Sequence, residues 1–357
     1  MAFLFGAGAS MSHLPGQQAL VGRLLDSKDP RLFPARKYLM RVFPGIEAAS
    51  SPSLEEVIGP LEIGEAEEYW FHLAGKSDEK ILVTNGAVLD SVDTGIAQEL
   101  DPRNLPRWPA ANAPDGAAAA ARAEFRKFYG DRYSLLAYAR LVGFLSDQGV
   151  LGSTPMITLN YDLLLDRTLI AFDVRVNYGF SFFVDDPVVD EATSTTDVSS
   201  EAILIKLHGS LNWRMCDACH YLRNFRTRSI WPNSRCADCH KERARPMLIR
   251  PTVLKDFKHR VWQALWREAG HQLANAETWV IVGYSLPLAD VWVLRMLLQS
   301  YRSGPRGRQP KRVIVVNPDE AVQRRFRLIF PESESVLSRF DSWMDAALGQ
   351  KKPRVTS

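Results

Sequence analysis

Five short, almost entirely apolar runs are spaced along the chain, and each ends at a cluster of polar residues or glycines. These runs are residues 2–5, 156–159, 202–207, 279–282 and 313–316. Runs that do not alternate between apolar and polar positions are typical of strands that are covered on both faces. Amphipathic segments at 257–275, 288–301 and 319–328 predict helices between several of the strands. The pattern predicts an α/β fold with a Rossmann-like, doubly wound parallel sheet.

The polar ends of the five runs predict a single ligand site. In open parallel sheets, ligands bind outside the carboxyl ends of the strands, which lie at one edge. The residues that the five segments would deliver to this edge are Gly8, Asn160, His208, Ser285 and Asn317.

Two insertions interrupt the predicted sheet of this 357-residue chain. We assign residues 1–40, 151–213 and 248–330 to the Rossmann-like domain, 41–150 to a mainly helical insertion, and 331–357 to a C-terminal helix and tail. Residues 214–247, which carry two Cys-x2-Cys pairs of the kind that bind Zn²⁺, are assigned to a small zinc ribbon. Residues 102–115 predict a linker inside the helical insertion. Residues 183–201, rich in Asp, Ser and Thr, predict a loop.

Composition is that of a globular protein, with 46% hydrophobic and 24% charged residues. The 44 basic and 41 acidic residues give a net charge of +3, so no overall attraction to nucleic acid is evident. Residues 42–102 carry thirteen acidic and two basic residues, which leaves +14 on the rest of the chain. A basic body suits an anionic ligand, although solvated surface charge explains each single residue equally well.

Targeting signals are not evident in the sequence. No stretch of 18 apolar residues predicts a membrane span. The apolar start lacks a basic region before it, since the first Lys or Arg is Arg23, so no export signal is expected. We therefore expect a cytoplasmic protein, whose cysteines are thiols or metal ligands rather than disulfides. The basic residues of 223–250 fit a solvated ribbon face, and nucleic-acid binding is not expected.

All four cysteines of the chain form two Cys-x2-Cys pairs with 16 residues between them. The pairs are Cys216 with Cys219 and Cys236 with Cys239. This spacing is typical of a site in which four thiolates hold one Zn²⁺. Because four thiolates leave no open coordination position, we predict a structural zinc ion rather than a catalytic one.

A second interpretation of the cysteines is haem attachment, because His220 and His240 complete two Cys-x2-Cys-His sequences. Haem attachment of this type needs export, and no export signal is expected here. Two such haems would also require a haem-dense chain around them. We therefore favour zinc.

The remaining candidate residues each have a structural alternative. The glycine turn of residues 6–10 would let a pyrophosphate approach the backbone, or would serve packing alone. His208 fits a general base or a ribose contact, but a lone histidine is more often structural. Asn160 can orient a water or a hydroxyl, and Asp162 can hold a partner or stabilise a developing cation, while Asp162 also suits the start of a helix.

Taken together, these motifs resemble the sirtuin family. Sirtuins open with Gly-Ala-Gly-(Ile/Ala)-Ser and continue with Thr-Gln-Asn-Ile-Asp, a His-Gly pair, a four-cysteine ribbon, Gly-Thr-Ser and a strand that ends in Asn. The matching positions here are residues 6–10, 158–162, 208–209, the four cysteines, 283–285 and Asn317. The order agrees over residues 1–16 and 154–320, whereas the insertion at 41–150 has no evident counterpart.

The resemblance implies an enzyme that uses NAD as a substrate and cleaves its nicotinamide–ribose bond. It implies that the pyrophosphate is held by Gly6, Ala7, Gly8 and Ser10. It assigns the adenosine half to Gly283, Ser285 and Asn317. It assigns the reaction itself to His208 as base, with Asn160 and Asp162 facing the nicotinamide ribose.

The sequence departs from the family pattern at positions that bear on the acceptor, which is the molecule that attacks the ribose when nicotinamide leaves. The Gly-Ile-Pro-Asp-Phe-Arg of deacylating sirtuins is replaced by residues 14–18, and their peptide-binding Phe-Gly-Glu loop by residues 250–254. Asn-Tyr-Asp, His-Gly-Ser-Leu-Asn-Trp and Gly-Tyr-Ser-Leu-Pro are instead similar to the sirtuin-like NADases of bacterial antiphage systems. We therefore expect an NAD hydrolase, gated by a homo-oligomer or by a partner protein of a defence system. An NAD-dependent lysine deacylase and a non-catalytic NAD or ADP-ribose sensor remain the alternatives.

Overall fold

The structure is a computed structural model. It describes residues 1–43, 45–46, 52–58, 70–74, 80–84, 92–96, 137–179, 201–224, 236–249, 260–303 and 312–348, with gaps of one to three residues inside some of these ranges. The predicted linker at 102–115, the predicted loop at 183–201 except its last residue, the segment 250–254 and the tail at 350–357 lie outside the described residues.

The described residues form twelve strands and eight α-helices. The strands are β1 (Ala2–Phe5), β2 (Trp70–Ala74), β3 (Lys80–Thr84), β4 (Met156–Thr158), β5 (Arg175–Asn177), β6 (Glu201–Lys206), β7 (Gly209–Cys216), β8 (Leu222–Asn224), β9 (Ala244–Leu248), β10 (Thr278–Val282), β11 (Arg312–Val316) and β12 (Glu334–Val336). The helices are α1 (Gln17–Asp26), α2 (Phe33–Val42), α3 (Ala137–Asp147), α4 (Leu164–Ala171), α5 (Arg260–Asn275), α6 (Val291–Arg302), α7 (Glu320–Ile329) and α8 (Phe340–Leu348).

Seven parallel strands form the main sheet, in the order β12-β11-β10-β1-β4-β6-β5. The chain first runs outward from β1 to β4 and on to β5 and β6. It then returns to β10 on the other side of β1 and continues outward to β11 and β12. The predicted doubly wound α/β fold is confirmed, and its switch point lies between β1 and β10.

The five predicted strands occupy the centre of this sheet, side by side. Their last residues pair across the sheet in one row, which runs Val316, Val282, Phe5, Thr158, Lys206. The segments that follow them therefore leave the sheet at one edge. The outer strands β5 and β12 were not predicted, because their residues are mostly exposed and their sequences are not apolar.

The core of the sheet is built from side chains of these central strands. All four residues of β1 are buried, and the rings of Phe3 and Phe5 stack with their centroids 5.6 Å apart. The Phe5 ring also packs on Tyr138 of α3 and on Phe340 of α8, at 5.2 and 5.8 Å. Burial of aromatic rings of this size is a dominant stabilising contribution in a core.

The chain divides into two compact units. The first unit comprises Met1–Ser12, Pro102–Leu248 and Phe257–Ser357, and the second comprises His13–Asp101 and Ile249–Asp256. The second unit contains α1, α2 and an antiparallel hairpin of β2 and β3. Helices α1 and α2 thus lie in the second unit, although the predicted boundary at 40 groups them with the sheet. Compactness alone does not define a domain, so the predicted domain boundaries stay a prediction.

A small antiparallel sheet begins directly after β6 of the main sheet. Strand β7 begins three residues after β6 ends and lies between β8 and β9. Residues of β7 are buried along most of its length, and its last residue is Cys216.

No helix in the described part of the chain combines the length and the apolar character needed to cross a membrane.

Candidate functional site

The glycine turn after β1 packs backbone against backbone on the loop after β10. The Gly8 N–H donates to the Gly283 carbonyl at 2.8 Å, and the Gly6 N–H donates to the Val282 carbonyl at 2.9 Å. Gly283 has a φ of +62°, and a Cβ added there would lie 2.2 Å from the Ala9 nitrogen. A Cβ on Gly8 would lie 2.8 Å from the Gly283 carbonyl oxygen. Packing alone therefore requires glycine at these positions.

The same contacts show which part of the turn a ligand can reach. The N–H groups of Gly6, Gly8 and Ser10 all donate to backbone carbonyls of the protein. Ala7 is exposed and Gly8 is half-buried. Binding of a pyrophosphate at this turn, which stays a prediction, would therefore take place over Ala7 and Gly8.

Asn160 connects the end of β4 to the glycine turn. Its Nδ2 donates to the Gly6 carbonyl at 3.0 Å and to the Ser10 Oγ at 3.1 Å. Its own backbone N–H donates to the Thr158 Oγ1 at 3.0 Å. With both amide hydrogens engaged in the protein, the Asn160 side chain offers a ligand only its carbonyl oxygen, which is an acceptor.

Ser10 is the centre of a buried hydrogen-bond network. Its Oγ accepts from Asn160 and lies 3.3 Å from the Tyr138 hydroxyl, and its hydroxyl interacts with the Asp162 carboxylate. Because a hydroxyl has one hydrogen to donate, this arrangement is balanced when Ser10 donates to Asp162 and Tyr138 donates to Ser10. Tyr138, on α3, was not among the predicted site residues. No sequence motif marks it.

Asp162 lies buried beside this network, two residues before the first residue of α4. Its Oδ1 accepts from the Leu164 N–H at 2.9 Å, the local bond expected from its position before a helix. Burial raises the pKa of its carboxyl group, while the Lys206 ammonium and the Leu164 N–H oppose that rise. The N-cap position of α4 is occupied by Leu163 rather than by Asp162, and the role of Asp162 toward a ligand stays a prediction.

His208 lies two residues beyond the end of β6 and is 5% exposed. Its ring lies between two aromatic rings, with centroid distances of 6.4 Å to Tyr161 and 6.3 Å to Trp266 of α5. Tyr161 is the residue between Asn160 and Asp162, so the His208 ring borders the loop that carries both. The structure thus brings the three predicted catalytic residues to adjacent strand ends.

The loop after β10 and the end of β11 supply the residues predicted for the adenosine half. Ser285 is exposed, whereas Asn317 is 8% exposed. The Asn317 Nδ2 donates to the Tyr284 carbonyl at 3.4 Å, and its Oδ1 accepts from the Asp319 N–H at 2.9 Å. Asn317 therefore holds this loop, and Ser285 is the side chain that a ligand can reach.

Arg325 of α7 was missed by the sequence reading. Its Nη1 donates to the carbonyls of Ser285 and Leu286, at 2.6 and 3.0 Å. Leu286 has a φ of +51°, an unusual conformation for a bulky residue. Two charge-assisted hydrogen bonds to this segment stabilise the conformation of the loop at the predicted adenosine position.

A buried lysine was also missed. Lys206, the last residue of β6, is fully buried, and its Nζ lies 2.8 Å from Oδ2 of the equally buried Asp166. Its signal was present in the sequence, since a charged residue inside an apolar strand must find a partner when it is buried.

The four cysteines converge on one point. Their sulfur atoms all lie within 4.8 Å of one another, and the pairs 216–239 and 219–236 are 3.6 and 3.5 Å apart. Tetrahedral zinc with bonds of about 2.3 Å places thiolates about 3.8 Å apart. The Asp238 N–H donates to the Cys236 sulfur at 3.4 Å, which stabilises a thiolate. The cluster therefore fits a structural zinc ion, and the convergence of both pairs disfavours separate haem attachment.

Comparison with known proteins identifies the family of this chain. A family model described as a SIR2-like domain matches residues 154–335, just over half of the chain. The chain therefore belongs to the SIR2-like domain family. None of the curated proteins matches it significantly.

Several solved structures are similar at low sequence identity. A Sir2 homologue in complex with NAD has 16% identity and a TM-score of 0.47, over 98% of this chain and 88% of that one. A Sir2 homologue mutant in complex with 2′-O-acetyl ADP-ribose has 16% identity and a TM-score of 0.46, over 98% and 90%. Sir2Tm bound to a propionylated peptide has 15% identity and a TM-score of 0.42, over 98% and 92%.

Proposed function

We propose that this protein is an NAD hydrolase, which cleaves the nicotinamide–ribose bond and releases nicotinamide and ADP-ribose. The observation that carries the proposal is the hydrogen bonding of Asn160 to both Gly6 and Ser10, with His208 beside the same loop. It joins the predicted pyrophosphate turn to the predicted catalytic residues at the switch point of the sheet, where dinucleotides bind in Rossmann-like folds. Membership of the SIR2-like family supports NAD as the dinucleotide.

The reaction needs a leaving group, a stabilised cation and a water molecule. The bond between the ribose C1′ and the pyridinium nitrogen breaks, and its electron pair leaves with neutral nicotinamide. The ribose becomes oxocarbenium-like, and the buried Asp162 carboxylate, when ionised, stabilises that positive charge. The Asn160 carbonyl oxygen orients a water molecule that adds to C1′, and His208 accepts the proton that this water loses.

Water is proposed as the acceptor on sequence grounds. Residues 14–18 and 250–254 depart from the segments with which deacylating sirtuins shape the nicotinamide pocket and hold an acyl-lysine peptide. The rings of Tyr161 and Trp266 lie near His208, which is 5% exposed, and a buried general base fits a reaction from which bulk water is excluded.

An uncontrolled NAD hydrolase would deplete the NAD of its own cell. We therefore propose that the activity belongs to antiphage defence and is gated by a homo-oligomer or by a partner protein. Four free cysteines, grouped as a metal site rather than as disulfides, support a reducing and thus cytoplasmic compartment.

The test is nicotinamide release from NAD by the purified protein, with and without an acetyl-lysine peptide. We expect release without peptide, and a decrease of kcat of roughly 10²- to 10⁴-fold in His208→Ala through loss of the general base. His271→Ala is the matched control, because His271 is exposed on α5 and bonds only locally to Asn275. Because the trigger is unidentified, the assay is run across protein concentrations that span monomer and oligomer.

Each alternative has its own signature in this assay. Release that requires the peptide, together with loss of the acetyl group, would identify a deacylase. Saturable binding of NAD or ADP-ribose without turnover, unchanged in His208→Ala, would identify a sensor. Either result would overturn the hydrolase proposal.

A further inference from the structure

Lys206 is the only charged residue among the last residues of the five central strands. It has no direct role in the reaction described above. Both it and Asp166 are fully buried, and a buried ion pair is weak evidence for stability, since the two desolvation penalties offset the attraction between the charges.

The contacts of Lys206 point to the loop of Asn160 and Asp162. Its Nζ donates to the backbone carbonyl of Asp162 at 2.5 Å and to Oδ2 of Asp166 at 2.8 Å. The other carboxylate oxygen of Asp166 accepts from the Tyr178 hydroxyl at 2.7 Å. The ammonium group is therefore itself fixed by an anchored carboxylate.

A second contact holds the neighbouring carbonyl of the loop. The Leu211 N–H donates to the Tyr161 carbonyl at 3.1 Å. Lys206 and Leu211 flank His208 in the sequence, so one short segment holds two successive carbonyls of the loop and also carries His208. These two hydrogen bonds extend the β4–β6 pairing, which ends with the Leu207 N–H donating to the Thr158 carbonyl at 2.9 Å, and they hold the loop against the segment that carries His208.

We propose that Lys206 is a positioning residue, which fixes the loop of residues 160–162 against His208 through its hydrogen bond to the Asp162 carbonyl. This inference rests on the proposed function, because the groups that it positions are those of NAD cleavage. Loss of the hydrogen bond would leave NAD bound over the glycine turn and would misplace the reacting groups. Misplacement by about 1 Å reduces a rate by roughly 100-fold.

The test compares Lys206→Met and the double variant Lys206→Met/Asp166→Asn with the wild-type protein. The single variant leaves Asp166 buried without its cation and can fail to fold for that reason. The double variant removes both charges, and its Asp166→Asn change retains a side-chain oxygen that can accept from Tyr178. Lys28→Met, at an exposed position, is the matched control.

We expect the double variant to fold, with kcat for NAD cleavage reduced roughly 10- to 100-fold and KM within about threefold of wild type. The rate of amide hydrogen exchange, measured by mass spectrometry, should rise in peptides that cover residues 158–164 and 207–213, but not in β10 or β11. A residue that serves only stability would leave kcat unchanged in the folded double variant.

The outcomes separate this inference from the proposed function. Wild-type kcat and wild-type exchange in the double variant would overturn the positioning role. So would failure of the double variant to fold while Lys28→Met folds, since the ammonium would then be a requirement of the fold itself. If wild-type protein cleaves no NAD, the proposed function fails, and the exchange measurement still decides whether Lys206 holds the loop.

Discussion

The packing of the glycine turn on the loop after β10 makes a quantitative prediction for Gly283→Ala. Gly283 has a φ of +62°, and Gly149, at the end of α3, has a φ of +66°. A Cβ at Gly149 meets nothing within 4 Å, whereas at Gly283 it would lie 2.2 Å from the Ala9 nitrogen and 2.4 Å from the Gly8 carbonyl carbon. Both substitutions to alanine therefore carry the cost of a positive φ, but only Gly283→Ala forces the glycine turn and the loop after β10 apart.

The expected difference follows from these contacts. A left-handed conformation costs a non-glycine residue roughly 1–2 kcal/mol, partly offset by lower entropy of the unfolded chain. Gly283→Ala must also separate two backbones by about 1 Å to reach ordinary contact. This breaks the hydrogen bond from the Gly8 N–H to the Gly283 carbonyl, and a buried backbone group without a partner costs about 1–3 kcal/mol. We expect Gly149→Ala to lose about 1 kcal/mol and Gly283→Ala about 3 kcal/mol.

The assay is urea unfolding of both variants and the wild-type protein, with m-values compared to ensure the same transition. NAD cleavage is measured beside it, and Gly283→Ala should be roughly 100-fold slower, because the substitution displaces the turn that is proposed to receive the dinucleotide. Gly149→Ala should retain wild-type activity. Equal losses of stability in the two variants would refute the conclusion that backbone packing requires the glycine at 283.

Three further predictions concern other parts of the site. Purified protein should contain one zinc ion per chain by elemental analysis. Cys236→Ser should lose the metal and unfold at lower temperature, because structural zinc contributes folding energy directly. A metal-free native protein of undiminished stability would exclude the zinc site. Burial raises the pKa of Asp162, so the native state binds more protons than the unfolded chain above the carboxyl's ordinary value of 3.8 and loses stability as the pH rises through the raised pKa. Asp162→Asn should remove this decrease in urea titrations at several pH values while slowing NAD cleavage, and an unchanged pH dependence would contradict the assignment. Tyr138→Phe should cost about 0.5–1.5 kcal/mol in unfolding free energy through its bond to Ser10, with an unchanged value indicating that the hydroxyl does not donate there.

The local predictions succeeded where one property of the sequence dominates. Strand β1 was predicted with its observed ends, and the other four central strands to within one residue at each end, because both faces of these strands are covered and their sequences are therefore mostly apolar. The cysteine pairs were predicted to converge from spacing alone, and their sulfur atoms do so. The edge strands β5 and β12 were not predicted, since exposed strands carry no apolar signal.

The candidate site was only partly accessible to the same reasoning. Polar residues at strand ends could be placed at one edge because parallel strands share a direction. Tyr138 and Arg325 could not be found, since each belongs to a helix distant in the sequence and contacts the site through a single polar group. Lys206 had a signal, but nothing in the sequence identified Asp166 and the Asp162 carbonyl as its partners.

The order of residues along the chain was enough to predict which segments become buried strands, that their ends share one edge, and which thiols meet. These properties follow from solvent exclusion and from covalent spacing, both of which are local. Other features became visible only in the folded chain. Gly8 and Gly283 pack backbone on backbone, the Asn160 amide donates to the glycine turn, and the buried Lys206 donates to the loop beside His208. These properties depend on distances between segments remote in the chain, and such distances exist only once the whole sheet has formed.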